Sequence, residues 1–155
     1  MAGKLAAEIQ QDKPFDRIEE EALLNVVRTA EMLNQKAAEF FRQFDLSRTQ
    51  YNVLRILRGA GDDGLTCSAT AERMVSHDPD VTRLMDRMET RGLIVRERTA
   101  SDRRIVLIRL TKAGRELVDS LDKGVSEFHL KLVGRLGATK LRKLIALLEE
   151  VREES

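Results

Sequence analysis

The chain has no tryptophan, one tyrosine and five phenylalanines among its 155 residues. Proteins that hold single-stranded nucleic acid stack successive bases on exposed rings, and so few rings disfavour that mode. A single cysteine, Cys67, rules out a disulfide framework and fits a reducing cytoplasm. No apolar run approaches the ~20 residues of a membrane span. The opening MAGKLAAEIQQDK lacks the apolar stretch of a secretory signal. A cytoplasmic protein with no membrane partner is the expectation. Catalytic patterns are missing too. There is no G-x-S-x-G, Cys67 has no histidine beside it, and the glycine-containing stretch Gly59–Gly64 carries two aspartates that repel phosphate. His77 and His129 lie far apart and sit in no ligand motif. Neither enzyme activity, nor a cofactor, nor a metal is expected.

Net charge is nearly absent at +1, but its distribution is uneven. From Asp80 to Arg115 ten basic residues stand against five acidic ones, whereas Met1 to Glu31 holds four basic and seven acidic. Glu149, Glu150, Glu153 and Glu154 repeat the acidic bias at the other end. A cationic working face between acidic ends is the simplest reading of a chain polarised in this way.

What is present is mostly helix-forming sequence: two prolines and 34% charged residues suit a solvated helical protein. Residues 1–15 read as a flexible N-terminus. Asp16, with Glu19 three residues on, predicts a capped helix over 16–44. Its stripe of Ile18, Ala22, Val26, Ala30, Leu33, Ala37, Phe40 and Phe44 recurs at steps of four or three. One small core can hardly bury so long a stripe, so part of it is expected to meet a second subunit. Ser47 and Gln50 predict a capping box before a helix with Val53, Leu54, Ile56 and Leu57 inward. Thr66 caps a third helix, with Ala69, Ala71 and Met74 inward. Asp78 as cap and Pro79 as first helical residue open a fourth, which carries Leu84, Met85 and Met88 inward and stops at Gly92. Ile94–Arg98 and Arg104–Leu110 read as antiparallel strands joined by the loop Thr99–Arg103. Thr111 opens a fifth helix, bent at Gly134 and ended at Gly137. The last helix carries Leu141, Leu144, Ile145, Leu148 and Val151.

Helix, helix, strand, strand is the winged helix-turn-helix arrangement. The expected fold is mainly α with a small β-wing, the winged helix-turn-helix covering 45–111 between dimerisation helices at 16–44 and 112–155. Apolar helices at both ends imply a homodimer. The stretch DPDVTRLMDRMETRGLIVRERTASDRRIVLIRLT offers a helix to a major groove and a cationic loop to the neighbouring minor groove. Double-stranded DNA is the partner implied. Arg83 and Arg87, four apart, share a helix face and can reach adjacent phosphates or guanine edges, and Thr82 a phosphate or a thymine methyl. The bland alternative is that both arginines solvate a surface and pair with Asp86 or Glu89. Asp102 and Arg104, two apart on a strand, project to one side, so the carboxylate is expected to accept from the guanidinium and hold it extended. A hairpin turn with solvated charges is the alternative there.

In their order and spacing, SRTQYNVLRILRG, LTCSATAERM, VTRLMDRMETRGLIVRE and DRR followed by LT resemble the multiple antibiotic resistance regulator (MarR) family of bacterial transcription factors. The resemblance is carried by motif from Leu46 to Leu121, and by length and apolar spacing alone outside that span. It implies that the helix near Pro79 is a recognition helix and that Asp102–Arg104 is a wing tip. It also implies a sequence-specific homodimer on a pseudo-palindromic operator, most often as a repressor. Arg104 takes the minor groove and Arg103 a nearby phosphate. With Ser68, His77, Asp80, Thr82, Arg83, Arg87 and Asp102, these are the DNA-binding candidates. A small, often aromatic or phenolic effector between the dimer helices and the DNA-binding lobe is implied as well. Phe40, Phe41, Phe44 and Tyr51 are available to line such a cleft, and core packing explains them equally well.

The chain departs from the usual family pattern at His77, Asp78, Pro79 and Asp80, where Ser and Thr are more common. Asp80 either accepts from a cytosine amino group or serves the helix structurally. This acidic pair and the neutral total leave a rival: a helical dimerisation or adaptor protein whose winged helix binds protein. Cys67 falls in the first turn of a helix, a setting that can suit a redox switch, but no second cysteine exists to resolve a sulfenate, and a small buried residue is the simpler reading.

Overall fold

The structure, a computed structural model, describes residues 3–153; Met1, Ala2 and Glu154 of the acidic tail lie outside them. The chain divides after Phe44 into two compact units. The first holds α1 (Leu5–Glu8) and α2 (Ile18–Arg42). Within the stretch read as a flexible terminus, α1 forms one turn and buries Leu5. The capping box expected from Asp16 and Glu19 does not form. Extended Arg17 occupies the cap position, which leaves Asp16 one residue outside the helix, and no side chain closes the end. Glu19, Glu20 and Glu21 in the first turn still favour the helix dipole. Along α2, Ala37 and Phe41 are buried, whereas Ile18, Leu23, Val26, Val27 and Met32 stay exposed. Phe40 packs edge-on against Phe41 at 5.1 Å and tilted against Phe44 at 5.4 Å.

The second unit contains α3 (Arg48–Ala60), α4 (Cys67–Glu72), α5 (Val81–Thr90), β1 (Ile94–Arg98), β2 (Val106–Leu110), α6 (Lys112–Val133) and α7 (Gly137–Arg152). It is mainly helical with a two-stranded antiparallel wing, as the sequence predicts. Ser47 and Gln50 form the reciprocal capping box of α3, at 3.0 and 2.9 Å. Thr66 caps α4 by accepting from the Ala69 amide. In α4 the fully buried residue is Thr70, whose hydroxyl is satisfied by the Thr66 carbonyl at 2.8 Å; Ala69, Ala71 and Met74 are only half-buried.

The core gathers Val53, Leu54 and Leu57 of α3, Leu84, Met85 and Met88 of α5, Ile94 and Ile108 of the strands, and Val118 and Leu121 of α6. β1 and β2 pair from Ile94 opposite Leu110 to Arg98 opposite Val106. Leu65 adds a one-residue bridge to Ile108, at 3.0 and 2.7 Å. Arg58 clamps α3 to α6, donating to Asp119 and bidentately to Asp122 at 2.9 Å each. α6 ends at Val133 and a 3-10 turn over Gly134–Leu136 follows, in place of a helix bent at Gly134 and continued to Gly137; α7 starts at Gly137 and buries none of its residues. Among the described residues no helix is long and apolar enough to cross a membrane.

Candidate nucleic-acid interface

The site is built on α5 and the wing. α5 starts later than its sequence suggests. Asp80, not Asp78, is the N-cap and accepts from the Arg83 amide at 3.1 Å, while Asp78 accepts from the Asp80 amide at 2.8 Å. Two aspartates flank Pro79, and the inner one has taken the cap while the outer one closes the turn before it. Pro79 therefore precedes the helix and does not open it. The acidic pair, whose charges would repel phosphate, is turned onto backbone amides. At the other end Gly92, with φ +70°, completes a Schellman stop in which the Leu93 and Gly92 amides donate to the Met88 and Glu89 carbonyls.

Leu84, Met85 and Met88 face the core, so Thr82, Arg83, Asp86 and Arg87 are directed outward. Arg83 lies 3.5 Å from Asp80, a pair so exposed that it holds the guanidinium only loosely. The pairing of Arg83 or Arg87 with Asp86 or Glu89 does not occur. Both carboxylates are taken by Arg96 of β1, at 2.8 Å to Asp86 and 2.5 Å to Glu89. Among the described residues Arg87 has no side-chain partner, and neither do Arg103 and Arg104.

The other candidates surround this helix. Ser68 is exposed on the first turn of α4, 3.1 Å from the Thr66 hydroxyl. His77 is exposed in the connection between α4 and α5. That connection is pinned by Asn52 of α3, whose side chain accepts from the Val75 amide at 2.9 Å. No sequence signal marks Asn52.

The wing tip differs from expectation in one respect. Asp102 does not hold the Arg104 guanidinium; its carboxylate accepts from the Arg104 backbone amide at 2.9 Å. The cause is local. Thr99 and Asp102 close a tight turn in which the Thr99 hydroxyl donates to the Asp102 carbonyl at 2.6 Å and accepts from the Asp102 amide at 3.1 Å. Arg103 and Arg104 therefore belong to the turn, and the second strand begins at Val106, two residues beyond its expected start. Arg98 donates to the Arg103 carbonyl at 3.1 Å and stiffens the loop further. The tip thus presents Arg103 and Arg104 on a fixed backbone with their side chains free.

The wing and α5 are joined at their roots. Thr111 uses one hydroxyl twice, donating to the Gly92 carbonyl at 2.6 Å and accepting from the Gly114 amide at 3.0 Å. Arg109 reaches Glu97 across the strands and donates to the carbonyl of Asp62 at 2.5 Å. Burial works against the Arg96 charge but is outweighed by its hydrogen bonds to Asp86 and Glu89, so its pKa rises.

Comparison with known proteins places this geometry. A model of the MarR family matches residues 44–105, which include α5 and most of the wing. The chain is 40% identical to a MarR transcription factor from Planctomyces limnophilus, with a TM-score of 0.68 over 87% of this chain and 98% of that one. It is 28% identical to S. aureus MepR, solved in complex with DNA, with a TM-score of 0.73 over 84% and 94% of the two chains. The Escherichia coli homoprotocatechuate degradative operon repressor is 29% identical over 75% of this chain and 80% of its own length. The HTH-type regulator YdgJ of Bacillus subtilis is 30% identical over 69% of this chain, which spans only 64% of that regulator's length. Likeness in both sequence and backbone over nearly the whole of one such factor makes this chain a member of the MarR family of transcription regulators.

Proposed function

We propose that the protein is a homodimeric, cytoplasmic repressor of transcription that binds a pseudo-palindromic operator and lets go when a small aromatic or phenolic effector binds. Each α5 enters a major groove, with half-sites about 34 Å apart, and each wing tip enters the minor groove beside it. The observation that carries this reading is the outward display of Arg83 and Arg87 while Arg96 occupies the Asp86 and Glu89 carboxylates of the same helix. Arg83 and Arg87 contact phosphates or guanine edges and Thr82 a phosphate or thymine methyl. Arg104 takes the minor groove, Arg103, Ser68 and His77 contact the flanking backbone, and Asp80 and Asp102 fix the two loops that aim them.

A second copy is supported by apolar faces left open in each unit, at Ile18, Leu23 and Val27 in one and Leu130, Ile145 and Val151 in the other. A repressor role is supported by similarity to the Escherichia coli operon repressor. The phenolic effector class rests on the family resemblance.

The test is anisotropy of a labelled random duplex across a salt series. Affinity is expected to fall steeply with salt, and Arg83→Ala, Arg87→Ala and Arg104→Ala are each expected to flatten the log–log slope by about one. Absence of binding at low salt, or a triple variant that binds like the parent, defeats the DNA assignment. A monomer by sedimentation at micromolar concentration defeats the dimer.

A further inference from the structure

We propose that Arg96 is a positioning residue for DNA binding, drawing the Asp86 and Glu89 carboxylates to itself and offsetting one of their two negative charges so that Arg83 and Arg87 remain available to phosphate. The proposal rests on the DNA-binding reading above. It assigns a role to a side chain that is itself only 24% exposed and belongs to a strand of the wing.

Successive residues of a helix are about 100° apart, so Asp86 lies about 60° round from Arg83 on the exposed arc, with Glu89 about 60° beyond it. Asp86 is three residues from Arg83, the spacing at which helix side chains pair. Left alone, it would draw Arg83 away from a duplex, and Asp86 and Glu89 would present two negative charges to the phosphates. Arg96 meets both through separate nitrogens, at 2.8 Å to Asp86 and 2.5 Å to Glu89. Its backbone amide also donates to Glu89 at 3.2 Å, which fixes the strand against the helix edge. The two carboxylates are thereby turned towards the wing root.

Arg96 carries one positive charge, and its loss about 7 Å from phosphate in a water-like medium would weaken binding by roughly threefold per protomer and roughly tenfold for the proposed dimer. Arg96→Met is therefore expected to lose about tenfold in affinity for random duplex at low salt. Adding Asp86→Asn and Glu89→Gln to Arg96→Met is expected to restore affinity to the parent level. Asp86→Asn with Glu89→Gln, leaving Arg96 in place, is expected to bind at least as tightly as the parent and with a steeper salt slope. A plain structural strut gives the opposite result: loss of either side of the ion pair weakens binding alike, and the triple variant is not rescued. That pattern, or an Arg96→Met variant that binds like the parent, overturns the proposal. Should Arg96→Met fail to fold, the carboxylate double variant decides alone. The parent protein is the control: if it does not bind duplex, the DNA reading itself fails, and this assignment with it.

Discussion

Gly114→Ala tests how closely the start of α6 is docked on the turn after α5. A Cβ built on Gly114 would lie 2.0 Å from the Leu93 carbonyl oxygen and 3.0 Å from its carbon, both backbone atoms with no rotamer to change. The start of α6 must therefore back away from the turn after α5. That movement breaks the Thr111 hydroxyl bond to Gly92, at 2.6 Å, and the Thr111 amide bond to Leu93, at 3.1 Å. Two hydrogen bonds contribute about 1 kcal/mol each, and forced overpacking costs about 1–3 kcal/mol. Better helix propensity returns about 1 kcal/mol. The net is a loss of about 2–4 kcal/mol, or about 5–15 °C in Tm for a chain of this size. Gly59→Ala is the control, since a Cβ there meets nothing within 4 Å in a helix of the same unit. It should be neutral or stabilising by up to about 1 kcal/mol. Thermal and urea melts at one fixed chain concentration compare the two, because the self-association proposed above would make stability concentration-dependent. Equal melting of Gly114→Ala and the parent would show that α6 does not sit against Leu93 as described.

Other perturbations have equally definite outcomes. Asp122 is held below its ordinary value of 3.8 by its hydrogen bond to Arg58. A carboxyl depressed in the folded chain stabilises it above the unfolded pKa and loses that contribution as pH falls through the folded one. Asp122→Asn should therefore lower Tm near neutral pH, and the gap to the parent should close in acid below the depressed pKa; a gap independent of pH refutes the clamp. Ser47→Ala removes one arm of the capping box of α3 and should destabilise by about 1 kcal/mol, read as a drop of a few degrees in Tm, with no change if the cap is idle. Cys67→Ser should leave duplex affinity and the proposed effector response intact, and a response lost with the thiol would assign it a redox role.

Much of the fold was legible because its boundaries are set locally. Ser47 with Gln50, Thr66, Gly92 and Thr111 each act within three or four residues, and the side-chain type alone discloses the role. Local rules faltered where two residues compete for one job. Asp78 and Asp80 can both cap, and only the closed turn around Pro79 shows that the second does. At the wing tip the i,i+2 spacing of Asp102 and Arg104 suggested a side-chain pair because it presumed a strand; a turn at that point brings the amide closer than the guanidinium. Thr70 is not legible as core in the sequence, because the apolar residues on either side of it carry the expected signal and a threonine that satisfies its own hydroxyl within the helix leaves none. Arg96 was hidden for a different reason. Its partners stand seven and ten residues earlier, and only the fold-back of β1 along α5 brings them together.

The doubled use of the Thr111 hydroxyl has a mechanical corollary. Because it ties the stop of α5 to the start of α6, the short rod of α5 shares a pivot with a much longer one. The 22 residues of α6 span about 33 Å, so a swing of about 5° at that pivot displaces its far end by about 3 Å. Read in reverse, a few ångströms of travel at Val133 amount to only a slight tilt of α5, and the leverage of the long arm favours fine adjustment over gross displacement.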